Sequence, residues 1–475
     1  MAQKKLNHHE DIQVAPGNYL VRQDRFRTDG SMRVESSVGH FLIKNYSSFG
    51  LAASSEVELE MDQIIGEAQL FVNDQMIIDF SLAVRRKERV GVSWEYGLET
   101  LTGAVPVEQI QILSELTNAV SLVKEKEQSA GALSVEFRCL VQELASRMKS
   151  FEQLAQSFEL KPYMNKAERE MAIELLINTL SKEIFNDIKT TNLKLQKLTE
   201  FQGEDVLKKG FGYFREVVGH YIYQSPFTKR SFEKPRGYAG DFEMMNQVYR
   251  NDGHAMSVFG SCMEKAVHFH EEPSAVRNRS KYLSDKIISK VNSTEHDEVN
   301  ILSVACGPAE EVKIAIQTLS QDKLDRTSFW LLDQDEDALK FAQKNIKTMA
   351  LKLGKKVKVQ LVRKSIKEII LEGIHDHAYD LIYSAGLFDY FSDPVAMRAA
   401  KALAAATTSK GTLVIGNFNI TSPNWFGMLS LFDWHLILRG EGDLTRIFSV
   451  PGFRMRVEAE EENVNLFCVM DRANN

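Results

Sequence analysis

The sequence predicts a multidomain α+β protein with a small N-terminal β domain, a central helical segment and a C-terminal α/β domain. Short alternating apolar runs broken by Gly, Asn and Ser occupy residues 1–104, as in a small barrel or sandwich. Residues 105–232 carry apolar side chains at steps of three and four, the period of an amphipathic helix. From about residue 300, apolar strands alternate with helical stretches, which indicates a parallel sheet covered on both faces. We therefore predict domains at 1–104, 105–232 and 233–475.

Composition excludes several classes of protein. The chain of 475 residues is 44% hydrophobic and 26% charged with a net charge of −7, whereas a general nucleic-acid binder needs a basic surface. Its 4 cysteines form no CxxC pair, so we expect neither a disulfide framework nor a structural zinc site. We therefore expect the protein to work in a reducing compartment. The N-terminus has no signal-peptide core, and the apolar stretch WFGMLSLFDWHLIL contains Asp433 and is too short to cross a bilayer. We expect a cytoplasmic protein without a transmembrane segment.

The stretch NILSVACGPAEEVKIAI, residues 300–316, predicts a strand, a tight turn of small residues and a helix. The next apolar run, FWLLD, ends at Asp333. Ligands of open α/β sheets bind where the carboxyl ends of the strands meet. Small turn residues let the backbone approach a ligand, and a carboxylate at the next strand end can accept both hydroxyls of a ribose. We predict a nucleotide site here. The alternative is that each small residue only allows the helix to pack closely on the strand.

Two further strand ends face the same crevice in this prediction. The third strand ends at LVRKSIKEI, where Ser365 would lie near an adenine edge. The fourth runs into YDLIYSAGLFDYF, which places Ser384, Gly386, Asp389 and Tyr390 at or just beyond its end. Asp335, by contrast, is expected to cap the helix after Asp333.

This spacing of turn and acid resembles class I S-adenosylmethionine-dependent methyltransferases. Those enzymes carry an acid and then G-x-G-x-G after the first strand, whereas this chain has Ser303 in place of the acid and alanines in place of two glycines. The resemblance implies an S-adenosylmethionine cofactor, with amino-group contacts supplied from elsewhere. The predicted cofactor-binding residues are Ala305, Cys306, Gly307, Ala309, Asp333, Ser365, Ser384 and Gly386.

Four separated motifs narrow the resemblance. They are FEKPRGYAGDFEMMNQVY (232–249), AVRNR (275–279), IYSAGLFDY (382–390) and FDWHLILRGEGDL (432–444). Together they resemble methyltransferases assigned to biosynthesis of 3-hydroxypalmitic acid methyl ester, an extracellular factor that serves as a bacterial quorum signal, over about residues 120–470. The resemblance implies methyl transfer to a small-molecule acceptor, the carboxylate of a 3-hydroxy fatty acid.

Methyl transfer to a carboxylate needs no strong base, so alignment and exclusion of water would carry the catalysis. An alcohol or amine acceptor would need a base instead. Arginine can hold a carboxylate bidentately, and a loop with Tyr238 and Asp241 could cover the cofactor. We predict no metal, and the alternative for each arginine is an ordinary ion pair. The predicted catalytic residues are Arg236, Tyr238, Asp241, Asp389 and Tyr390, with Arg277, Arg279, Asp433, His435 and Arg439 as further candidates around the cleft.

The N-terminal stretch KNYSSFGLA fits [D/N]-x-S-x-x-G, a motif of PilZ domains, which bind cyclic di-GMP. The arginines upstream are spaced by three, two or five residues, whereas the PilZ pair is spaced by four. The resemblance covers about residues 15–100 and implies cyclic di-GMP as an effector. The alternative is a degenerate barrel used for docking or dimerisation. The predicted nucleotide contacts are Arg22, Arg25, Arg27, Asn45, Ser47 and Gly50.

Two functions follow from these patterns. The first is a methyltransferase whose activity is controlled by a cyclic di-GMP-sensing β domain, with a homodimer as one arrangement. The second is a catalytically inactive effector that keeps the methyltransferase fold, binds cyclic di-GMP and docks to a partner protein. A dehydrogenase is disfavoured because the chain lacks G-x-G-x-x-G.

Overall fold

The computed structural model describes residues 25–28, 30–163, 165–374 and 377–473. Contacts divide the chain into two compact units, the first ending at Gln128 and the second beginning at Ser129. Helix α1 (Val107–Gly131) runs across this division.

The first unit is built on a closed β-barrel. Its strands are β1 (Phe26–Arg27), β2 (Met32–Ser36), β3 (Gly39–Ser47), β4 (Gly50–Ser55), β5 (Ile64–Val72), β6 (Gln75–Val90) and β7 (Ser93–Thr100). They follow the order β1-β3-β2-β5-β6-β7-β4, and pairing of β3 with β4 closes the six longer strands into a barrel, with all pairs antiparallel. Alternate residues such as Val34, Phe41 and Leu70 are buried inside, which is the two-residue period that the sequence shows.

The second unit begins with a helical layer. Its helices are α2 (Val135–Leu160), α3 (Lys166–Thr199), α4 (Glu204–Ile222), α5 (Pro226–Glu233), α6 (Phe242–Arg250), α7 (Val258–Val267) and α8 (Glu271–Ser293). Ser134 and Asn165 cap α2 and α3 by accepting N–H bonds from the first turn. Their apolar faces share one core with Phe418 and Phe426 from the sheet side of the unit.

A seven-stranded sheet completes the second unit. Its strands are β8 (Val299–Val304), β9 (Thr327–Asp333), β10 (Lys358–Arg363), β11 (Tyr379–Ser384), β12 (Thr407–Phe418), β13 (Phe453–Ala459) and β14 (Asn465–Arg472). The accompanying helices are α9 (Glu310–Thr318), α10 (Gln321–Asp325), α11 (Glu336–Lys352), α12 (Ile366–Glu372), α13 (Asp393–Ala405), α14 (Trp425–Phe432) and α15 (Glu441–Ile447), with a 3₁₀ turn at Phe388–Tyr390.

The strand order is β10-β9-β8-β11-β12-β14-β13. The first five strands are parallel, and β14 is antiparallel to both of its neighbours. The order reverses between β8 and β11, so the switch point that favours ligand binding lies at their carboxyl ends. The predicted fold class is confirmed: a small β-barrel, a helical segment and a Rossmann-like α/β domain. In the part of the chain that the structure describes, no helix is both long and apolar enough to cross a membrane.

Candidate cofactor cleft at the switch point of the sheet

The turn after β8 adopts an unusual backbone conformation. Ala305, Gly307 and Ala309 all have positive φ angles, of 53°, 51° and 50°. Glycine adopts this left-handed region freely, whereas for alanine it is strained. A Cβ atom built on Gly307 would meet nothing within 4 Å, so the backbone there faces open space.

Asp333 at the end of β9 points toward this turn. Its Oδ2 accepts a hydrogen bond from the Gly307 N–H at 3.0 Å, and its Oδ1 accepts one from the Asp335 N–H at 3.0 Å. Burial raises the pKa of Asp333, and the backbone hydrogen bonds oppose that rise. Each carboxylate oxygen keeps a lone pair for one more donor.

The turn and Asp333 line a cleft with a cavity volume of about 390 Å³, within the size range of small-molecule sites. All of its walls come from the second unit. The lining side chains that bear chemistry are Tyr238, Tyr249, Arg279, Cys306, Glu311, Asp333, Gln334, Lys364, Ser365, Asp389, Tyr390 and Trp434. The structure thus brings together Ala305, Cys306, Gly307, Asp333, Ser365 and Gly386 of the predicted cofactor set, and Tyr238, Asp389 and Tyr390 of the predicted catalytic set.

A loop of residues 234–241, here called the lid loop, borders the cleft between α5 and α6. The Tyr238 hydroxyl donates to Asp335 Oδ2 at 3.1 Å, and burial raises the pKa of Tyr238. The Tyr390 hydroxyl donates to the Ala239 carbonyl at 3.3 Å and accepts from Trp434 Nε1 at 2.7 Å. These bonds tie the lid loop to both the β9 and the β11 sides of the cleft.

Two predicted catalytic residues lie outside the cleft lining. Asp241 caps α6, is 2% exposed and pairs with Arg230 at 2.8 Å, so its carboxylate is fully engaged. Arg236 makes a 2.7 Å ion pair with Asp337. These ion pairs tie the lid loop to its surroundings, and a catalytic role for Asp241 and Arg236 stays a prediction.

Two predicted cofactor contacts are also absent from the lining. Ala309 is fully buried, and its backbone completes the turn at the start of α9. Ser384 is fully buried in β11, and its Oγ has no hydrogen-bond partner. Ser365 does line the cleft, but its hydroxyl forms a capping box with Glu368 at the start of α12. These residues shape the strand ends around the cleft.

Asp389 is a buried carboxylate on the cleft wall. It is 2% exposed, and its Oδ1 accepts the Phe418 N–H at 2.6 Å. Burial raises the pKa of Asp389 to about 6, against the lowering effect of that bond and of Arg279 and Arg439. Asp389 therefore changes charge near neutral pH.

Among the candidate arginines, Arg279 is the one whose side chain lines the cleft in the described part of the chain. Arg439 is 2% exposed, and its guanidinium binds Asp393, Asn417 and two carbonyls. Arg277 donates to the His268 carbonyl and to Ser274. Arg279 is 7% exposed, its Nε has no partner, and no carboxylate of the described residues lies within ion-pair distance of it.

Glu311 is a cleft residue that the sequence analysis did not identify. It lies in the first turn of α9, is 4% exposed, and its Oε1 accepts a hydrogen bond from the Tyr383 hydroxyl at 2.8 Å. The signal in the sequence is the second of two acids after the turn, which precedes Val312 in a helix whose other buried residues are apolar.

An apolar recess adjoins the cleft. The two cavities share Met245, Val276, Phe418 and Trp434 as lining residues. The remaining walls of the recess are mostly apolar, including Ile188, Phe227, Val248, Met428, Leu431 and Phe432. The recess has a cavity volume of about 30 Å³, much smaller than that of the cleft.

A polar group also lines this recess. Ligand atoms of His270, Glu271 and Glu272 lie within 4.8 Å of one another, which is close enough for a shared cation. Lys189 already forms an ion pair with Glu271, and Ser422 donates to Glu272 at 3.1 Å. The lysine ammonium thus supplies a positive charge at this cluster.

In the first unit, the predicted nucleotide contacts cluster around two strands. Arg27 pairs with Asn45 in the β1–β3 register, and Arg25 NH1 donates to Asn45 Oδ1 at 3.5 Å. Ser47 and Gly50 bound the hairpin between β3 and β4, where the Ser47 hydroxyl donates to the Gly50 carbonyl at 3.4 Å. Arg22 lies outside the described residues.

The residues of the cleft fit S-adenosylmethionine. An acid at the end of β9 faces an open backbone turn, and the unpartnered Nε of Arg279 borders the same space. The strand order, with one antiparallel strand inserted beside the last, is that of the Rossmann-like methyltransferase fold. The second unit has that fold, as predicted.

No protein-family model and no curated protein matches the chain. Among solved structures, a possible exported protein from Bordetella parapertussis is 14% identical, with a TM-score of 0.40, over 72% of this chain and 99% of its own. Magnesium protoporphyrin IX methyltransferase from Synechocystis PCC 6803, with bound S-adenosylhomocysteine, is 12% identical over 42% of this chain and 87% of its own, with a TM-score of 0.32. The N-methyltransferase NodS from Bradyrhizobium japonicum, also with S-adenosylhomocysteine, is 12% identical over 41% and 87%, with a TM-score of 0.29. At these values the chain is similar to these structures and is assigned to no family by them.

Proposed function

We propose that the second unit binds S-adenosylmethionine in the cleft and transfers its methyl group to a small-molecule acceptor. The observation that carries this proposal is the Asp333 carboxylate, which accepts the Gly307 N–H at 3.0 Å beside the switch point. The free lone pairs of Asp333 would accept the two ribose hydroxyls. Ser365 and Ile366 would flank the adenine, and the turn after β8 would face the methionine portion.

When bound, the cofactor supplies an electrophilic methyl group on a sulfonium. The chain's own residues align the acceptor and exclude water, which is sufficient for an acceptor that is already ionised. Tyr238, Tyr390 and Trp434 form the wall of the cleft toward the lid loop, and we propose that they cover the reacting atoms.

We propose that the acceptor is a carboxylic acid with an apolar tail, such as a 3-hydroxy fatty acid, and that the product is a methyl ester. The support for this choice is the mostly apolar recess that shares four lining residues with the cleft. Its cavity volume is about 30 Å³, so an acyl chain would have to displace the side chains around it, at a gain of about 0.8 kcal/mol for each methylene group that it buries.

We also propose that the first unit binds cyclic di-GMP and that this binding controls the transferase. The support is that Arg27 on β1 lies opposite Asn45 on β3 and that Arg25, just before β1, donates to the Asn45 side chain. Guanidinium groups bind guanine edges and phosphates through paired hydrogen bonds. Arg25→Ala is expected to abolish cyclic di-GMP binding in equilibrium dialysis, whereas unchanged binding would remove β1 from the proposed nucleotide site.

A catalytically inactive effector is the second candidate function. Three substitutions favour it: Ala305 and Ala309 stand at positive-φ positions of the turn, at 53° and 50°, and Ser303 replaces an acid. A degraded cofactor loop would be expected to carry such substitutions. An effector of this kind would bind cyclic di-GMP and dock to a partner without methyl transfer.

Methyl transfer from a labelled cofactor separates the two candidates. The full chain is incubated with methyl-labelled S-adenosylmethionine and a panel of 3-hydroxyacyl acids of increasing length, with and without cyclic di-GMP. We expect label in the organic extract, increasing with acyl length and altered by cyclic di-GMP. Failure of the wild-type chain to bind the cofactor at millimolar concentration would instead support the effector.

A further inference from the structure

The methionine end of the cofactor carries an ammonium and a carboxylate, and both need partners in a buried cleft. Ser303, at the strand position where an acid would meet the ammonium, is 2% exposed and carries no charge. Its hydroxyl lies 3.4 Å from Glu311 Oε1. The carboxylate nearest to this strand end therefore comes from α9, eight residues further along the chain.

Glu311 is held in a fixed orientation. Tyr383 on β11 donates its hydroxyl to Oε1 at 2.8 Å, and the Ser303 hydroxyl approaches the same oxygen. Both of these contacts go to Oε1, and the carboxylate also accepts a backbone hydrogen bond; each carboxylate oxygen has two lone pairs, so Glu311 keeps capacity for a further donor. Burial raises the pKa of Glu311, while the Tyr383 hydrogen bond and the nearby Arg279 charge lower it. A bound ammonium would favour the ionised form further.

Arg279 on α8 supplies the opposite charge in the same cleft. Its NH2 contacts the Met245 sulfur at 3.3 Å, the Tyr249 hydroxyl hydrogen-bonds to the guanidinium, and the Asp389 carboxyl lies near enough for the Arg279 charge to lower its pKa, while the Nε finds no partner among the described residues. A Cβ atom on Gly386 would meet Arg279 NH1 at 2.7 Å, so the glycine makes room for the guanidinium at the end of β11. An unpaired buried guanidinium is costly unless a ligand anion completes it.

Glu311 and Arg279 line one cleft but are not paired with each other. The Arg279 charge lowers the pKa of Glu311, yet among the described residues the two side chains form no ion pair within 4.0 Å. Two opposite charges that are buried and held apart match a ligand that carries both signs on one carbon. We infer that Glu311 and Arg279 together bind the zwitterionic amino-acid end of the methyl donor, Glu311 the ammonium and Arg279 the carboxylate.

This inference rests on the proposed function, and ligand analogues test it separately. Four probes are titrated by calorimetry into the full chain: S-adenosylhomocysteine, its deaminated analogue, its decarboxylated analogue and 5′-methylthioadenosine, which lacks both charged groups. If the wild-type chain binds none of them, the proposed function fails. If it binds S-adenosylhomocysteine no better than 5′-methylthioadenosine, the adenosine site stands and the present inference fails.

Single substitutions assign the two charges. We expect Glu311→Gln to weaken S-adenosylhomocysteine and the decarboxylated analogue about 10-fold to 100-fold, and to leave the deaminated analogue and 5′-methylthioadenosine unchanged. Arg279→Gln should weaken S-adenosylhomocysteine and the deaminated analogue by a similar factor, and the other two probes not at all. Asp333→Asn, which acts on the ribose, should weaken all four.

Milder variants keep the test decisive if either substitution prevents folding. Tyr383→Phe removes the hydroxyl that orients Glu311 and should weaken only the two probes that carry an ammonium. Arg279→Lys keeps the charge and should restore part of the affinity for the two probes that carry a carboxylate. Equal losses across all four probes for these variants would show a structural role for both residues and would overturn the inference.

Discussion

Ala305 and Ala309 explain why the cofactor turn is hard to recognise from its residues. The glycines of the G-x-G-x-G pattern are missing at these positions, yet both alanines keep the left-handed backbone that glycine would adopt, at φ 53° and 50°. An L-residue pays about 1–2 kcal/mol for that conformation. The turn, which lies between β8 and α9, therefore has the left-handed backbone of a glycine-rich turn although two of the glycines are absent.

The strain at Ala305 gives a stability prediction. Ala305→Gly relieves the left-handed strain, which stabilises the folded state. It also adds backbone freedom to the unfolded chain, which lowers the free energy of unfolding by about 0.5–1 kcal/mol. We expect the free energy of unfolding to stay the same or rise by up to about 1 kcal/mol in urea denaturation. The matched control is Ala402→Gly within helix α13 (Asp393–Ala405), which should cost about 1 kcal/mol. Equal destabilisation by both substitutions would contradict the strained turn.

Asp389 gives a prediction on pH. Its pKa is raised to about 6 in the folded chain by burial, against about 3.9 in an unfolded chain. A raised carboxyl pKa means that the folded state binds the proton more tightly, so this group favours folding below pH 4 and loses that contribution as the pH rises through 6. The loss amounts to about 3 kcal/mol.

Asp389→Asn should remove this titration. We expect the variant to gain stability relative to the wild type between pH 4 and pH 7 in urea denaturation. Asp393→Asn is the control, because Arg439 and Arg446 lower the pKa of Asp393. The stabilisation by that carboxylate is fully present above about pH 4 and is lost as the pH falls below it, so the Asp393→Asn variant should be less stable than the wild type by an amount that does not change between pH 4 and pH 7. A pH-independent difference for Asp389→Asn would show that the carboxyl is not buried as described.

At the scale of elements, the lid loop is the segment most directly fitted to the cleft. Gly240 has φ 72°, and a Cβ atom there would lie 3.0 Å from the Tyr390 hydroxyl and 3.3 Å from the Trp434 ring. Gly237 in the same loop has φ 83° but no neighbour within 4 Å. A substitution at Gly237 would therefore strain the backbone alone, whereas one at Gly240 would also push against side chains of the cleft.

Alanine substitutions at these glycines test the lid. Both Gly237→Ala and Gly240→Ala place alanine in the left-handed region, which lowers stability by about 1–2 kcal/mol. Only Gly240→Ala also displaces Tyr390 and Trp434, so we expect it alone to weaken S-adenosylhomocysteine binding, by about tenfold. Calorimetry on both variants checks this, and equal affinities would mean that the lid loop does not contribute to the cleft.

The positions of site residues at strand ends could be predicted from the sequence, whereas those at helix starts could not. Parallel strands must meet at one edge, so Asp333 and the turn after β8 could be placed together from the alternation of strands and helices alone. The position of Asp241 could not be read from the sequence, because a helix cap and a catalytic acid share the same residue type and its pairing with Arg230 depends on the fold of the lid loop. Glu311 was missed because its contact with Tyr383 joins positions that are 72 residues apart.

At the scale of the whole molecule, the chain separates into two units, and every residue that lines the cleft belongs to the second. Periodicity predicted the barrel, the helices and the α/β domain because each has its own spacing of apolar residues. Closure of the barrel through β3 and β4 could not be read from that pattern, since alternation gives the faces of strands but not their order. The cyclic di-GMP contacts stay a proposal, because alternation does not show which side chains of neighbouring strands come together.

This division gives a prediction for the isolated second unit. A fragment of residues 129–475 contains the whole cleft, so we expect it to bind S-adenosylhomocysteine within about threefold of the full chain. Cyclic di-GMP should have no effect on that fragment, because the proposed contacts lie on β1 and β3. A folded fragment that fails to bind the cofactor product would show that the first unit contributes to the site.

The most direct test of the account is calorimetric titration of the full chain with S-adenosylhomocysteine, compared between the wild type and Asp333→Ala. The exposed Asp325→Ala, at the end of α10, serves as the control. We expect micromolar affinity for the wild type and for the control, and a loss of about 100-fold or more for Asp333→Ala, because two charge-assisted hydrogen bonds are removed. An unchanged affinity in Asp333→Ala would contradict the placement of the ribose and, with it, the cofactor site at the switch point of the sheet.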